Sequence, residues 1–157
     1  MANILIPTDF TPASLQWADR YLRTEDQPRN NLVLFHAFDL PASPHDLLGA
    51  KEPSLELMTE AFRAACVQLK ETYGNRVGRI VVRCMQGNTN SLFRNFIDAQ
   101  DIDLIYCPED YVFHRVHVRS LDPRAFFRHA GVPIVNNAQR RREDHFVPTT
   151  AFQVSTS

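Results

Sequence analysis

The sequence predicts an open, doubly wound α/β domain built on a parallel sheet. Three observations carry that reading. The apolar runs Ile4-Leu5-Ile6, Leu32 to Phe38, Ile80 to Met85 and Asp101 to Cys107 show little alternation, as strands buried on both faces do. Helical segments fall between them, so the order β-α-β-α-β-α-β-α-β emerges, which gives a parallel sheet with right-handed crossovers. The 157 residues suit one domain, able to bury about two-thirds of its unfolded surface without a disulfide or metal staple.

The first strand ends at Pro7, which has no N–H to donate and holds Ile6 extended. Thr11-Pro12 then reads as an N-cap before a proline at the first helical position, opening a helix to about Arg23 with Leu15, Ala18 and Leu22 on one face and Trp17 and Tyr21 beside it. A polar loop from Thr24 to Asn31 leads to the second strand, and an insertion-like segment follows from His45 to Pro53. Leu55, Met58, Phe62, Ala65, Cys66, Leu69 and Tyr73 recur at helical spacing, which predicts one helix from a Ser54 cap to Tyr73, ended by Gly74-Asn75. Gly87-Asn88 breaks the third strand. Thr89 or Asn90 caps a helix whose buried side is Leu92, Phe93, Phe96, Ile97 and Ala99.

Pro108 stops the fourth strand, and Glu109 to Ser120 reads as an irregular stretch. Phe113, Arg115, His117 and Arg119 alternate there with His114, Val116 and Val118. Asp122-Pro123 starts the last helix, anchored by Phe126 and Phe127 and closed by Gly131. Val132-Pro133-Ile134-Val135 is a short fifth strand whose proline places it at a sheet edge. The domain is expected over 1–137, followed by a tail over 138–157 that is mobile or docks on a partner subunit.

The formal net charge of −1 gives bulk electrostatics no preference for nucleic acid or an acidic membrane. Cys66, Cys84 and Cys107 are odd in number and contain no Cys-x-x-Cys pair, which argues against a disulfide framework and a zinc site. The absence of a cleavable apolar leader or a membrane-length run leads to an expected cytoplasmic location.

Ile4-Leu-Ile-Pro-Thr-Asp-Phe-Thr-Pro-Ala-Ser14, Leu34-Phe35-His36-Ala37, Asp101-Ile-Asp-Leu-Ile105 and Arg128-His-Ala-Gly-Val-Pro-Ile-Val135 stand in an order and spacing that resembles the universal stress protein family over roughly Ala2 to Asn137. The resemblance implies a Rossmann-like, adenine-nucleotide-hydrolase-like sheet of five strands in the order 3-2-1-4-5. It also implies a homodimer paired through the fifth strand, here Val132, Pro133, Ile134 and Val135. Many members bind ATP through Gly-x-x-Gly after the fourth strand and Gly-Ser or Gly-Thr at the last helix, where glycines admit phosphates to backbone N–H groups. This chain has Pro108 and Tyr111 at the first pair of positions and Ser120-Leu121 at the second. Pro7 and Asp9, which lie beside the nucleotide in the family, are retained. The expected cofactor is therefore none, with ATP possible only without its usual loop.

Ligands of open α/β sheets gather outside the carboxyl ends of the strands, where the strand order reverses. The candidate ligand-binding residues are accordingly Pro7, Thr8, Asp9, His36, Pro108, Arg115, Arg119 and Ser120. Two readings of Asp9 stand, a ligand-holding carboxylate and a cap for the turn into the first helix. Two also stand for His36, a crevice residue and a satisfied core histidine. The basic stretch His114 to His129 is either a grip for an anion or acidic partner or a solvated face. His114 and His117 have no third ligand nearby in sequence, and Cys107 has no activating partner. No nucleophile elbow or Walker loop occurs. The expectation is a non-catalytic, universal-stress-like regulatory or adaptor protein with an unknown protein partner and no nucleic-acid or membrane partner. The alternative is a small-molecule sensor that binds an adenine nucleotide or another anion beside Asp9.

Overall fold

A computed structural model describes residues 1–24, 29–43 and 53–135. In chain order these form β1 (Ala2–Pro7), a 3₁₀ turn (Pro12–Leu15) running into α1 (Gln16–Thr24), β2 (Asn30–Phe38), the short α2 (Ser54–Leu57), α3 (Glu60–Tyr73) and β3 (Val77–Gln86). Then come α4 (Asn90–Ala99), β4 (Leu104–Tyr106), β5 (Ser120–Leu121), α5 (Arg124–Phe127) and β6 (Ile134–Val135).

The sheet order is β3-β2-β1-β4-β6, so the expected 3-2-1-4-5 order holds with β6 as the short edge strand. β1 is central: Ile4 lies beside Leu32 on one side and Leu104 on the other. Both of its faces are covered, as its unalternating sequence requires. Ile4, Ile6, Leu32 and Leu34 pack with Trp17, Tyr21, Leu22, Phe62 and Leu69 from α1 and α3. Leu5, Val33, Phe35 and Ala37 pack with Phe93, Ile97, Phe126 and Phe127 from α4 and α5. The α/β, doubly wound reading is thereby met. No helix among the described residues is long and apolar enough to cross a membrane.

Several boundaries differ from the sequence reading. The helix expected over Ser54 to Tyr73 breaks at Met58-Thr59. Thr59 adopts an extended conformation and its hydroxyl accepts a hydrogen bond from Phe62 N at 3.1 Å, so Thr59, not Ser54, caps α3. Leu55 consequently leaves the buried stripe and is exposed. In α4, Thr89 is the cap, and only Phe93 and Ile97 of the expected buried side are fully covered; Leu92 and Ala99 face outward. β2 begins earlier than expected, at Asn30, and β4 is shorter, because Asp101 turns into the left-handed region at φ 52°. α5 ends at Phe127 and continues as turns toward Gly131, whose φ is 78°. Gly87 fits its turn: φ is 134°, and a Cβ there would meet Leu92 Cδ2 at 2.4 Å. The insertion over His45 to Pro53, apart from Pro53, and the tail lie outside the described residues.

One feature was not expected at all. β1 stops at Pro7, opposite Phe35, while β2 runs on to Phe38. Against that overhang lies β5, antiparallel, with Ala37 beside Leu121 and Phe38 beside Ser120. A strand from beyond β4 thus occupies the lane that β1 vacates.

Candidate functional site

The carboxyl ends of β1 and β2 form the floor of the crevice, and a chain of hydroxyl bonds shapes the turn that leaves β1. Thr8 N donates to Phe35 O at 2.9 Å, Thr8 Oγ1 and Ser14 Oγ lie 2.8 Å apart, and Ser14 Oγ donates to Thr11 O at 2.7 Å. Phe10 sits at φ 66°, a region non-glycine residues seldom enter. Its buried ring holds it there, packed 5.1 Å from the His36 ring and 5.9 Å from Phe62.

Asp9 is engaged. Its Oδ1 accepts from Thr11 N at 3.1 Å and Thr11 Oγ1 at 2.5 Å, and its Oδ2 lies 3.0 Å from His114 Nδ1. Partial burial by itself would raise the Asp9 pKa. The bonds from Thr11 and His114 outweigh it, and the carboxyl lies below its ordinary value. The turn-capping reading of Asp9 therefore has its partners in place.

His36 is buried, with both ring nitrogens bonded: Nδ1 lies 2.7 Å from Thr8 O and Nε2 2.8 Å from Ser120 Oγ. A carbonyl can only accept, so Nδ1 carries the proton, and Nε2 accepts from the Ser120 hydroxyl. Burial lowers the His36 pKa and favours this neutral form. His36 is a satisfied core residue that ties β1 to β5.

The segment between β4 and β5 closes the crevice from above. Its Tyr111 ring is buried 5.9 Å from the Trp17 ring, edge to face, and the Arg124 guanidinium lies over it at 5.6 Å. Asp110 pairs with Arg20 through two bonds of 2.8 and 3.1 Å. At the far end Asp39 N donates to Arg119 O at 2.7 Å, and Arg119 Nη1 donates to Asp39 O at 3.0 Å. Among the described residues, a cavity of about 60 Å³ lies beside Asp9, lined by Pro7, Thr11, Ser14, Trp17, Tyr111 and His114 among others. Small-molecule sites are roughly 300–1,000 Å³.

Of the candidate residues, the fold brings together Pro7, Thr8, Asp9, His36 and Ser120, with Arg119 at the rim. It does not bring Pro108 or Arg115 to them. Arg115 points outward and, among the described residues, reaches only Val118 O, at 3.5 Å. Pro108 lines a separate open groove of about 510 Å³ with Cys107, Glu109, Asp122, Arg124, Phe127, Arg128 and Ile134. Cys107 is not activated there, since burial pushes its thiol up to about 11. Asp122 holds Arg124 at 2.6 Å and accepts from Arg124 N at 3.0 Å, and that pairing to Arg124 keeps its carboxyl below the ordinary value; the cap position of α5 is held by Pro123, not by Asp122 as expected. Tyr111, His114, Trp17 and Asp39 were not among the candidates. Tyr111 stands in the sequence only as a side chain in a glycine's place and His114 only within the basic stretch; Trp17 and Asp39 carry no site signal, because their partners are remote in sequence. Among the described residues no three His, Cys, Asp or Glu side chains stand close enough to share a metal ion.

No protein-family model matches the chain, and no curated protein sequence matches it. Among solved structures it is similar to the hypothetical protein PH0823, at 16% identity over 86% of this chain and 94% of that one, with a TM-score of 0.53. A universal stress protein in complex with cAMP is similar at 14% identity over 86% and 94% of the two chains, TM-score 0.46. So is a universal stress protein family member from Burkholderia pseudomallei, at 17% identity over 86% and 94%, TM-score 0.47. At such identities the likeness is one of fold, and the first of these, with the strand order above, carries it: the chain has the doubly wound fold of PH0823.

Proposed function

We propose that this chain is a universal-stress-like regulatory or adaptor protein of the stress response. In this reading it is cytoplasmic and non-catalytic, it pairs as a homodimer through β6, and it does not bind ATP in the family manner. One observation carries the proposal. The chain's own segment after β4 lies over the carboxyl ends of β1 and β2, and the cavity beside Asp9 among the described residues is about 60 Å³. The side chains at the glycine positions support it as well: Tyr111 is buried where a ligand-hugging backbone would be needed, and Ser120 is spent on His36. The sensor alternative draws less support, because the Asp9 carboxylate is already bonded to Thr11 and His114.

Thermal unfolding with and without Mg-ATP and AMP tests the reading. A ligand at a hundred times its Kd adds about 2.7 kcal/mol. In a domain of this size that is a shift of roughly 5–11 °C. No shift is expected. A shift of that size with ATP overturns the proposal and puts the sensor first.

A further inference from the structure

The segment that closes the crevice also builds a face. Residues 111–119 contain no carboxylate and carry His114, Arg115, His117 and Arg119. Neither guanidinium in this stretch has a carboxylate partner among the described residues: Arg115 reaches Val118 O, and Arg119 reaches Asp39 O. Of the nearby acids, Asp9 bonds Thr11 and His114, Asp110 bonds Arg20, and Asp39 Oδ1 accepts from Leu40 N at 2.8 Å. Apolar side chains on and beside this stretch are turned to water. Val118 is 80% exposed, Val112 57%, and Leu40, next to the Asp39–Arg119 bonds, 48%.

We infer that this face, centred on Val112, Arg115, Val118 and Arg119 with Leu40, is the docking surface for an acidic protein segment with interspersed apolar side chains. The argument is charge complementarity. Two guanidiniums that, among the described residues, only carbonyls satisfy fit carboxylates in a fork geometry that a carbonyl does not use fully. Val118, exposed between Arg115 and Arg119, suits a partner whose apolar side chains sit between its acids. A bare anion would leave Val118 and Val112 uncovered, and a neutral apolar partner would desolvate the guanidiniums without recompense. The strap's anchors, Tyr111 on Trp17 and Ser120 on His36, hold the face in a fixed shape before any partner arrives. The inference rests on the adaptor reading and names the class of its partner.

The test is a ¹H–¹⁵N titration of the full chain with four probes: a short peptide alternating leucine and glutamate, the same peptide with lysine for glutamate, inorganic polyphosphate, and Mg-ATP. The acidic peptide is expected to shift amides of residues 112–119 and of Leu40, and Arg115→Glu and Val118→Ser are each expected to weaken it about tenfold, with the remaining spectrum unchanged. The lysine peptide is expected to shift nothing there. Absence of shifts on this face with the acidic peptide overturns the inference, as does an equal response to the lysine peptide. So does an equal response to inorganic polyphosphate, which would make the face an anion site. Shifts from Mg-ATP at the amides of Thr8 and Asp9 overturn the adaptor reading instead, and leave the peptide result to stand by itself.

Discussion

His36 shows how one buried side chain decides a local structure. It bridges the Thr8 carbonyl and the Ser120 hydroxyl, and it touches the rings of Phe10 and Phe38. Replacing it with leucine keeps the volume and strands both partners in the core, which should cost about 1–3 kcal/mol. The charge state gives a second readout. Burial holds the His36 pKa below its ordinary 6.5, with the Thr8 bond and Asp9 opposing and His117 assisting. Below about pH 6.5 the unfolded chain therefore takes up a proton that the folded chain does not, so the contribution to stability is complete above that pH and declines beneath it. Asp9, held below its ordinary 3.8, is ionised across that window and acts only in stronger acid, where stability falls as it is protonated. Urea midpoints at about pH 7.5 and about pH 5.5 should fall on acidification in the wild type and fall less in His36→Leu. Equal slopes would remove His36 from the account. The sequence placed His36 at the end of a buried strand, and that was right. It could not supply Ser120, which lies 84 residues away and reaches His36 only because β5 takes the lane beyond Pro7.

Elements were legible where local chemistry sets them. The apolar runs, the Thr11-Pro12 start and the stops at Gly74 and Gly87 are short-range signals that mark boundaries in the fold, whereas α5 begins at Arg124 and ends at Phe127, short of Gly131. The misreadings come from places where a local choice competes with a good longer pattern. The stripe from Leu55 to Tyr73 looks continuous, yet Thr59 uses its hydroxyl to cap α3 and breaks it. Thr59→Ala should cost about 1 kcal/mol, while Leu55→Ala, on an exposed side chain, should change stability by less than about 0.5 kcal/mol. A single helix would reverse that ranking, and chemical denaturation of the two variants decides it. The strap after β4 has a similar hierarchy. Tyr111 is buried against Trp17, so Tyr111→Ala should cost about 3 kcal/mol. The Arg20–Asp110 pair is better formed on paper, but its carboxylate is largely exposed, and Asp110→Asn should cost less than about 1 kcal/mol. If the charged pair proved the larger of the two, the strap would be held by electrostatics and its closure would depend strongly on salt.

At the scale of the whole molecule the sheet has two ends. β3 is long and lies against β2, with hydrophobic side chains half covered. β6 is two residues long and, among the described residues, pairs only with β4. A short edge strand limits the unpaired backbone that could template aggregation. It nonetheless presents Ile134, 38% exposed, at the lip of the groove that also holds Cys107, Phe127 and Arg128. The proposed homodimer would cover that lip with its own copy. In a two-fold interface each substitution enters twice, so a charge placed near the axis meets itself. Ile134→Lys is therefore expected to convert a dimer to a monomer in sedimentation velocity. The domain itself should be little altered, because Ile134 is not among the buried residues of either core. A wild type that sediments as a monomer, or an Ile134→Lys variant that remains dimeric, would place any self-association on another surface. The face around Val118 would then be the next to substitute, since it lies at the carboxyl end of the sheet on the strap and shares no residue with the β6 edge.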